Sequence, residues 1–167
     1  ALFERVLISK NVSLEMFHKA RYFIDSNAMQ EKGPSMLESY VEKYLDSPFL
    51  KDAINQLLYY YNQNENEQKE LYYFDKYLNI FNDDPWFLNQ YAWRMAELNQ
   101  NLELAFVKIN IALTLLEENA QGIANIIDTK AEILWKLGKT DEALQTIDKA
   151  IMIAPDNEYY KKQKEKF

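Results

Sequence analysis

Four short stretches of this chain are variations on one pattern: YVEKYLDSP at 40–48, YFDKYLNIF at 73–81, VKINIALTL at 107–115 and IDKAIMIAPDN at 147–157. Tyr44, Tyr77, Ala112 and Ala150 hold the same place in each, at intervals of 33, 35 and 38 residues. A period near ~34 residues leaves room for two helices per unit and marks a helical solenoid. One helix pair cannot bury its own apolar face, so successive pairs must stack. On this reading Ala150 is small because another helix presses on its backbone. Pro155 then ends the unit before the next helix begins.

Composition agrees with long helices. Only 3 Gly and 4 Pro interrupt 167 residues, and no stretch alternates with the period of a strand. Hydrophobic residues at 48% and charged residues at 27% give an ordinary globular balance, enough for a sizeable core. A net charge of −7 argues against nucleic acid as a partner, because phosphate binding needs a basic face. With no Cys and one His, neither thiolate metal sites nor redox chemistry of this chain's own thiols is expected, nor any cofactor. No apolar run approaches the roughly 20 residues of a membrane span, so membrane insertion is not expected. The start, ALFERVLISK, has neither an initiator Met nor a signal-peptide pattern, which suggests a mature product or a piece of something longer. The compartment stays open.

Periodicity and punctuation divide the chain. Residues 1–12 read as an extension. A single domain over 13–167 follows, with units at about 13–50, 51–84, 85–123 and 124–155 and a cap at 156–167. Ser13 is expected to cap a helix that runs to about 26, with Met16, Phe17, Ala20, Phe23 and Ile24 inward. A loop around SNAMQEKGPS precedes helices at about 35–46, 48–62 and 67–81. Asp84 can cap the next helix and Pro85 suits its first turn. Helices are then expected at 85–98, 102–117, 124–137 and 140–153, with Gly138 as a left-handed cap, followed by a short polar helix.

The stretch 124–157 resembles the tetratricopeptide repeat through Ile127, Ala131, Leu134, Gly138, Ala143, Ile147, Ala150 and Pro155. Lys130 departs from it, standing where the family has a leucine. The unit with Leu88, Tyr91, Ala92, Met95, Ala105, Ile109 and Ala112 is similar. Earlier units are weaker, with Tyr77 and Tyr44 in the small slot. The resemblance implies an all-α fold, a right-handed superhelix of antiparallel helix pairs with a C-terminal capping helix. LNQYAWRMAELN, IIDTKAEILWKLGKTDEAL and YYKKQKEKF also look like the helical tail that follows a thioredoxin-like domain in some bacterial proteins.

Catalytic groupings are not apparent. His18 has no visible partner for a triad or metal set, and reads as a structural or surface residue. The carboxylates of NENEQKE and NDDP sit at turns and helix starts, where they complement exposed N–H groups. The aromatic residues say more. Trp86, Asn89, Trp93 and Glu97 share one helix face, and Asp128, Glu132 and Trp135 form an equivalent stripe, as do Asn55, Tyr59 and Asn62. In the tetratricopeptide family this face lines a concave groove for peptides. The resemblance thus implies an aromatic, polar and mildly acidic groove. The competing reading is that the tryptophans pack between helices and the carboxylates are merely solvated. The family's clamp for a C-terminal carboxylate is absent, since its slots hold Asn55, Tyr59, Gln90, Asn125 and Thr129.

The expectation is therefore a non-catalytic protein-interaction module that takes a peptide or helix. Two other readings stand beside it: the accessory region of a thioredoxin-like redox protein, and an architectural spacer or self-association surface that would make a homo-oligomer.

Overall fold

The computed structural model describes residues 12–20 and 32–167, and every regular element among them is an α-helix. Phe23, Ile24 and almost all of the expected 1–12 extension lie outside the described residues. The chain forms two compact units, Ala1–Lys76 and Tyr77–Phe167. The boundary falls inside the repeat expected at 51–84 rather than at its end.

The first unit contains α1 (residues 12–20), α2 (Lys32–Lys43), α3 (Leu50–Gln63) and α4 (Glu67–Tyr77), whose last residue crosses the boundary. Ser13 lies buried within α1 and is not its cap. Gly33 and Pro34 belong to the first turn of α2, not to a loop, because proline's missing N–H has no intrahelical partner there. Phe17 of α1 stacks on Phe49 with centroids 5.4 Å apart and tilts against Tyr40 at 5.9 Å. The buried Tyr40 hydroxyl is satisfied by Ser47 Oγ at 2.5 Å. Tyr44, matched by pattern to Ala150, lies beyond the end of α2 and is half-buried, so it does not stand at a close helix crossing.

The second unit contains α5 (Pro85–Leu98), α6 (Leu102–Thr114), α7 (Ile123–Lys136), α8 (Thr140–Ile153) and α9 (Glu158–Lys166). Helices α5 and α8 begin and end where the sequence places them. Asp84 Oδ1 accepts from the backbone N–H of Trp86 and of Phe87, both at 3.0 Å, and Pro85 fills the first position. At the end of α7, Gly138 takes φ +76°, Lys139 N donates to Leu134 O and Gly138 N donates to Trp135 O, both at 2.9 Å. This is the Schellman arrangement. Asn99 closes α5 in the same way at φ 54°.

Neighbouring helices pack in order: α5 on α6, α6 on α7, α7 on α8 and α8 on α9. In addition α5 packs directly on α7. Leu88, Tyr91, Ala92, Met95, Ala105, Ile109 and Ala112 are fully buried. Ile127, Ala131, Ile147 and Ala150 join Tyr160 of α9 in one buried cluster. Lys130, in the family's leucine position, hydrogen-bonds Asn110 Oδ1 at 2.7 Å and holds its ammonium 5.7 Å from the Phe106 ring centre. Its stem serves as the apolar filler while its head reaches polar partners.

This packing sets an expected order of stabilities under urea denaturation. Ala150→Leu overpacks the cluster and costs ~1–3 kcal/mol. Lys149→Leu, one residue away on the exposed side, stays within ~0.5 kcal/mol of wild type. Gly138→Ala costs about 1 kcal/mol through its positive φ alone, since a Cβ there meets nothing. Ala120, just before α7, is half-buried against the same cluster. Equal stabilities for the Ala150 and Lys149 variants would remove the close crossing.

Candidate functional site

Trp86, Asn89 and Trp93 follow one face of α5, and none of the three is fully buried. Trp86 is 43% exposed, and its ring lies against the α-carbon of Gly122, where an added Cβ would stand 2.8 Å from Trp86 Cη2. The glycine, at φ +82°, thus both turns the chain into α7 and admits the indole. Asn89 Oδ1 is buried without a hydrogen-bond partner. An unpaired buried amide oxygen costs about 1–3 kcal/mol, so this face carries an unused acceptor between two indoles.

The equivalent stripe on α7 has a different fate. Asp128 is 4% exposed and Glu132 is 5% exposed, and the face they share with Trp135 lies under α9 rather than open to solvent. Asn157 starts α9 by accepting from Tyr159 N at 3.0 Å. Tyr160 then donates to Asn125 Oδ1 at 2.5 Å, and Gln163 Nε2 approaches Glu132 Oε2 at 3.4 Å. Lys166 pairs with Glu132, and its ammonium lies 4.7 Å from the Trp135 ring centre. Phe167 stacks on Trp135 at 5.6 Å. Helical spacing identifies Asp128, Glu132 and Trp135 as one face, but only the tertiary fold shows what covers them.

Burial pushes the Asp128 carboxyl up to about 6, with the hydrogen bond from Gln163 opposing and the charge of Glu132 adding to the rise. Asp128 Oδ1 has no hydrogen-bond partner. Tyr159 is pushed up to about 12 by burial and by the charges of Asp128 and Glu132.

In the first unit, Asn55 is half-buried on α3 with an unpaired Oδ1, and Tyr59 is 62% exposed one turn on. A second feature of this unit has no counterpart among the sequence expectations. A cleft of about 550 Å³ separates α2 from α4, with Ser35, Glu38, Glu42, Lys69 and Tyr72 among its lining residues. Two ion pairs span it, Lys69–Glu38 at 2.6 Å and Lys76–Glu42 at 2.9 Å. Tyr61 donates to Glu38, and the Lys69 ammonium sits 5.1 Å from its ring centre. Burial raises Glu38, but the hydrogen bonds from Lys69 and Tyr61 outweigh it and hold the carboxyl below its ordinary value. Burial and the Glu38 carboxylate both push Tyr61 up. These partners lie 31, 34 and 23 residues apart, beyond the reach of helical periodicity.

His18 is exposed on α1 beside Phe17. Among the described residues no group of three His, Cys, Asp or Glu side chains could hold a metal ion, and no helix is long and apolar enough to cross a membrane. No protein-family model matches the chain, and no curated protein matches it.

The raised Asp128 value yields a pH-dependent expectation. Below about pH 4 the carboxyl is neutral in folded and unfolded chains alike, and it costs nothing. As pH rises from about 4 to about 6 the unfolded chain ionises while the folded chain keeps its proton, so stability falls across that window and stays lower above it. Asp128→Asn should therefore match wild type near pH 4 and exceed it by about 1–2 kcal/mol near pH 8, a value reduced for partial solvent screening. Urea denaturation at the two pH values measures this. A gain of equal size at both would refute the burial cost.

Proposed function

We propose that this chain is a non-catalytic binding module of the tetratricopeptide kind, which takes a peptide or helix on the face of α5. The supporting observation is the packing of α5 on both α6 and α7 while its Trp86–Asn89–Trp93 face keeps surface in reach of solvent. Helix pairs joined through their first helices hold such a face rigid, so little ordering entropy is lost when a ligand docks. Two indoles offer large contact area with few rotatable bonds, the usual character of interface anchors. Between them the Asn89 amide supplies backbone-type hydrogen bonding, and its unpaired Oδ1 can accept an N–H from a ligand after a small side-chain rotation. The chain's negative charge favours a neutral or basic ligand over an acidic one.

Selection from a displayed random-peptide library, followed by affinity measurement on the enriched sequences, tests this reading. Trp86→Ala should weaken the selected peptides by ~2 kcal/mol or more while lowering stability by under about 1 kcal/mol. Trp93→Ala should weaken them similarly. A stability loss of ~3–5 kcal/mol for Trp93→Ala would instead make that indole part of the core. Enrichment of no peptide whose binding depends on Trp86, Asn89 or Trp93 would end the proposal.

A further inference from the structure

The α7 face under α9 has the construction of a binding site with its occupant in place. Two carboxylates, Asp128 and Glu132, are more than nine-tenths buried, with the Trp135 ring beside them. Above them α9 supplies one ammonium, Lys166, which pairs with Glu132. It also supplies two aromatic rings: Tyr160, sunk into the cluster of Ile127, Ala131 and Ile147, and Phe167, stacked on Trp135. The residue of α9 between these anchors, Gln163, is neutral. The charges therefore do not balance: two buried acids face one cation, and Asp128 Oδ1 is left without a donor.

The occupant is also short. Helix α9 has nine residues, too short to be stable by itself, and buries only Tyr160 and Gln163. The turn at Ala154–Asn157 connects it to α8. Besides the apolar packing of Tyr160 and Phe167 on the cluster, it is tied to α8 by the Lys164–Asp148 pair at 2.6 Å, between side chains nearly half exposed, a kind of contact that contributes little.

We propose that the Asp128–Glu132–Trp135 face is a docking site for a helix of another protein that places two cationic side chains between two aromatic ones, and that α9 is a looser occupant held in cis. The four positions are those of Tyr160, Gln163, Lys166 and Phe167, with the partner's extra cation in the place of Gln163. That cation meets the Asp128 carboxylate, whose Oδ1 has no hydrogen-bond partner under α9, while the lysine and both rings repeat the contacts of α9. A buried pair of acids recognises two cations far better than one, because removing either cation strands a charge away from water. This site is separate from the α5 face and does not depend on a peptide binding there.

The test uses the full chain and two labelled peptides: residues 156–167, and the same peptide with Gln163→Arg. The chain has no cysteine, so Asp148→Cys with Lys164→Cys can be bridged by a short bismaleimide to lock α9 down without touching the site. Fluorescence anisotropy should show both peptides binding the unlocked chain, the arginine peptide at least about tenfold more tightly. Locking should abolish binding. Glu132→Gln in the unlocked chain should weaken it by at least about tenfold, with circular dichroism confirming that the helices persist. Equal binding to locked and unlocked chains would place the peptides elsewhere and overturn the proposal. So would an arginine peptide that binds no more tightly than its parent, or an absence of binding up to about 1 mM. A dimer of the unlocked chain that the lock suppresses would give the face to the α9 of a second copy and overturn the assignment to a different protein.

Discussion

The approach of α7 to α8 rests on residues that contribute little beyond a methyl group. Ala131 and Ala150 are fully buried in the cluster that also holds Ile127, Ile147 and Tyr160. Small side chains there let two backbones come close, and closeness aligns the larger residues on either side. The same logic operates where the start of α5 meets the start of α7: Gly122 presents no Cβ, so the Trp86 ring can lie on the chain there. If either approach widened, the exposed face of α5 and the covered face of α7 would lose their rigid footing. Function on this scaffold is thus tied to a few positions whose virtue is to be small.

A second theme is the lysine held between a carboxylate and an aromatic ring. Lys69 meets Glu38 and the Tyr61 ring, Lys76 meets Glu42 and the Tyr72 ring, and Lys166 meets Glu132 and the Trp135 ring. The three differ in burial of the acid. Glu42 is 57% exposed, so its pair contributes under about 1 kcal/mol. Glu132 is almost fully buried, and its lysine decides whether a charge is stranded. The same three groups therefore act as a surface contact at Glu42 and as a structural requirement beneath α9.

Local signals carried the helices of the second unit. Asp84 and Pro85 fix the start of α5, Gly138 fixes the end of α7, and the interior stripes of α5 to α8 follow from a 3.6-residue period. The first unit was less legible for a physical reason. Its tyrosines are as large as the pattern's alanines are small, so Tyr44 could be matched by sequence although it stands past the end of its helix. The stripe Asp128–Glu132–Trp135 was legible as a face but not as an interior, because periodicity reports which residues point together and says nothing of what lies over them. Gln163 and Lys166 reach that face from residues 31 and 34 positions away. The Glu38–Lys69–Tyr61 grouping was hidden for the same reason.

The contrast between the two stripes turns on the charge of α9. Its sequence EYYKKQKEK carries four lysines and two glutamates within a chain whose net charge is −7. A basic segment on an acidic body is drawn in over about one Debye length, roughly 8 Å at physiological salt, before any specific contact forms. That attraction is shared by every lysine and fixes no register. Register comes from the two rings, since Tyr160 is buried in the apolar cluster and Phe167 packs on the edge of that cluster and stacks on Trp135. Salt weakens the first contribution and leaves the second nearly untouched. Helix α9 is thus recruited by charge and positioned by aromatic packing, whereas the α5 face carries two indoles, an amide and the Glu97 carboxylate, already paired with Arg94, and keeps surface in reach of solvent.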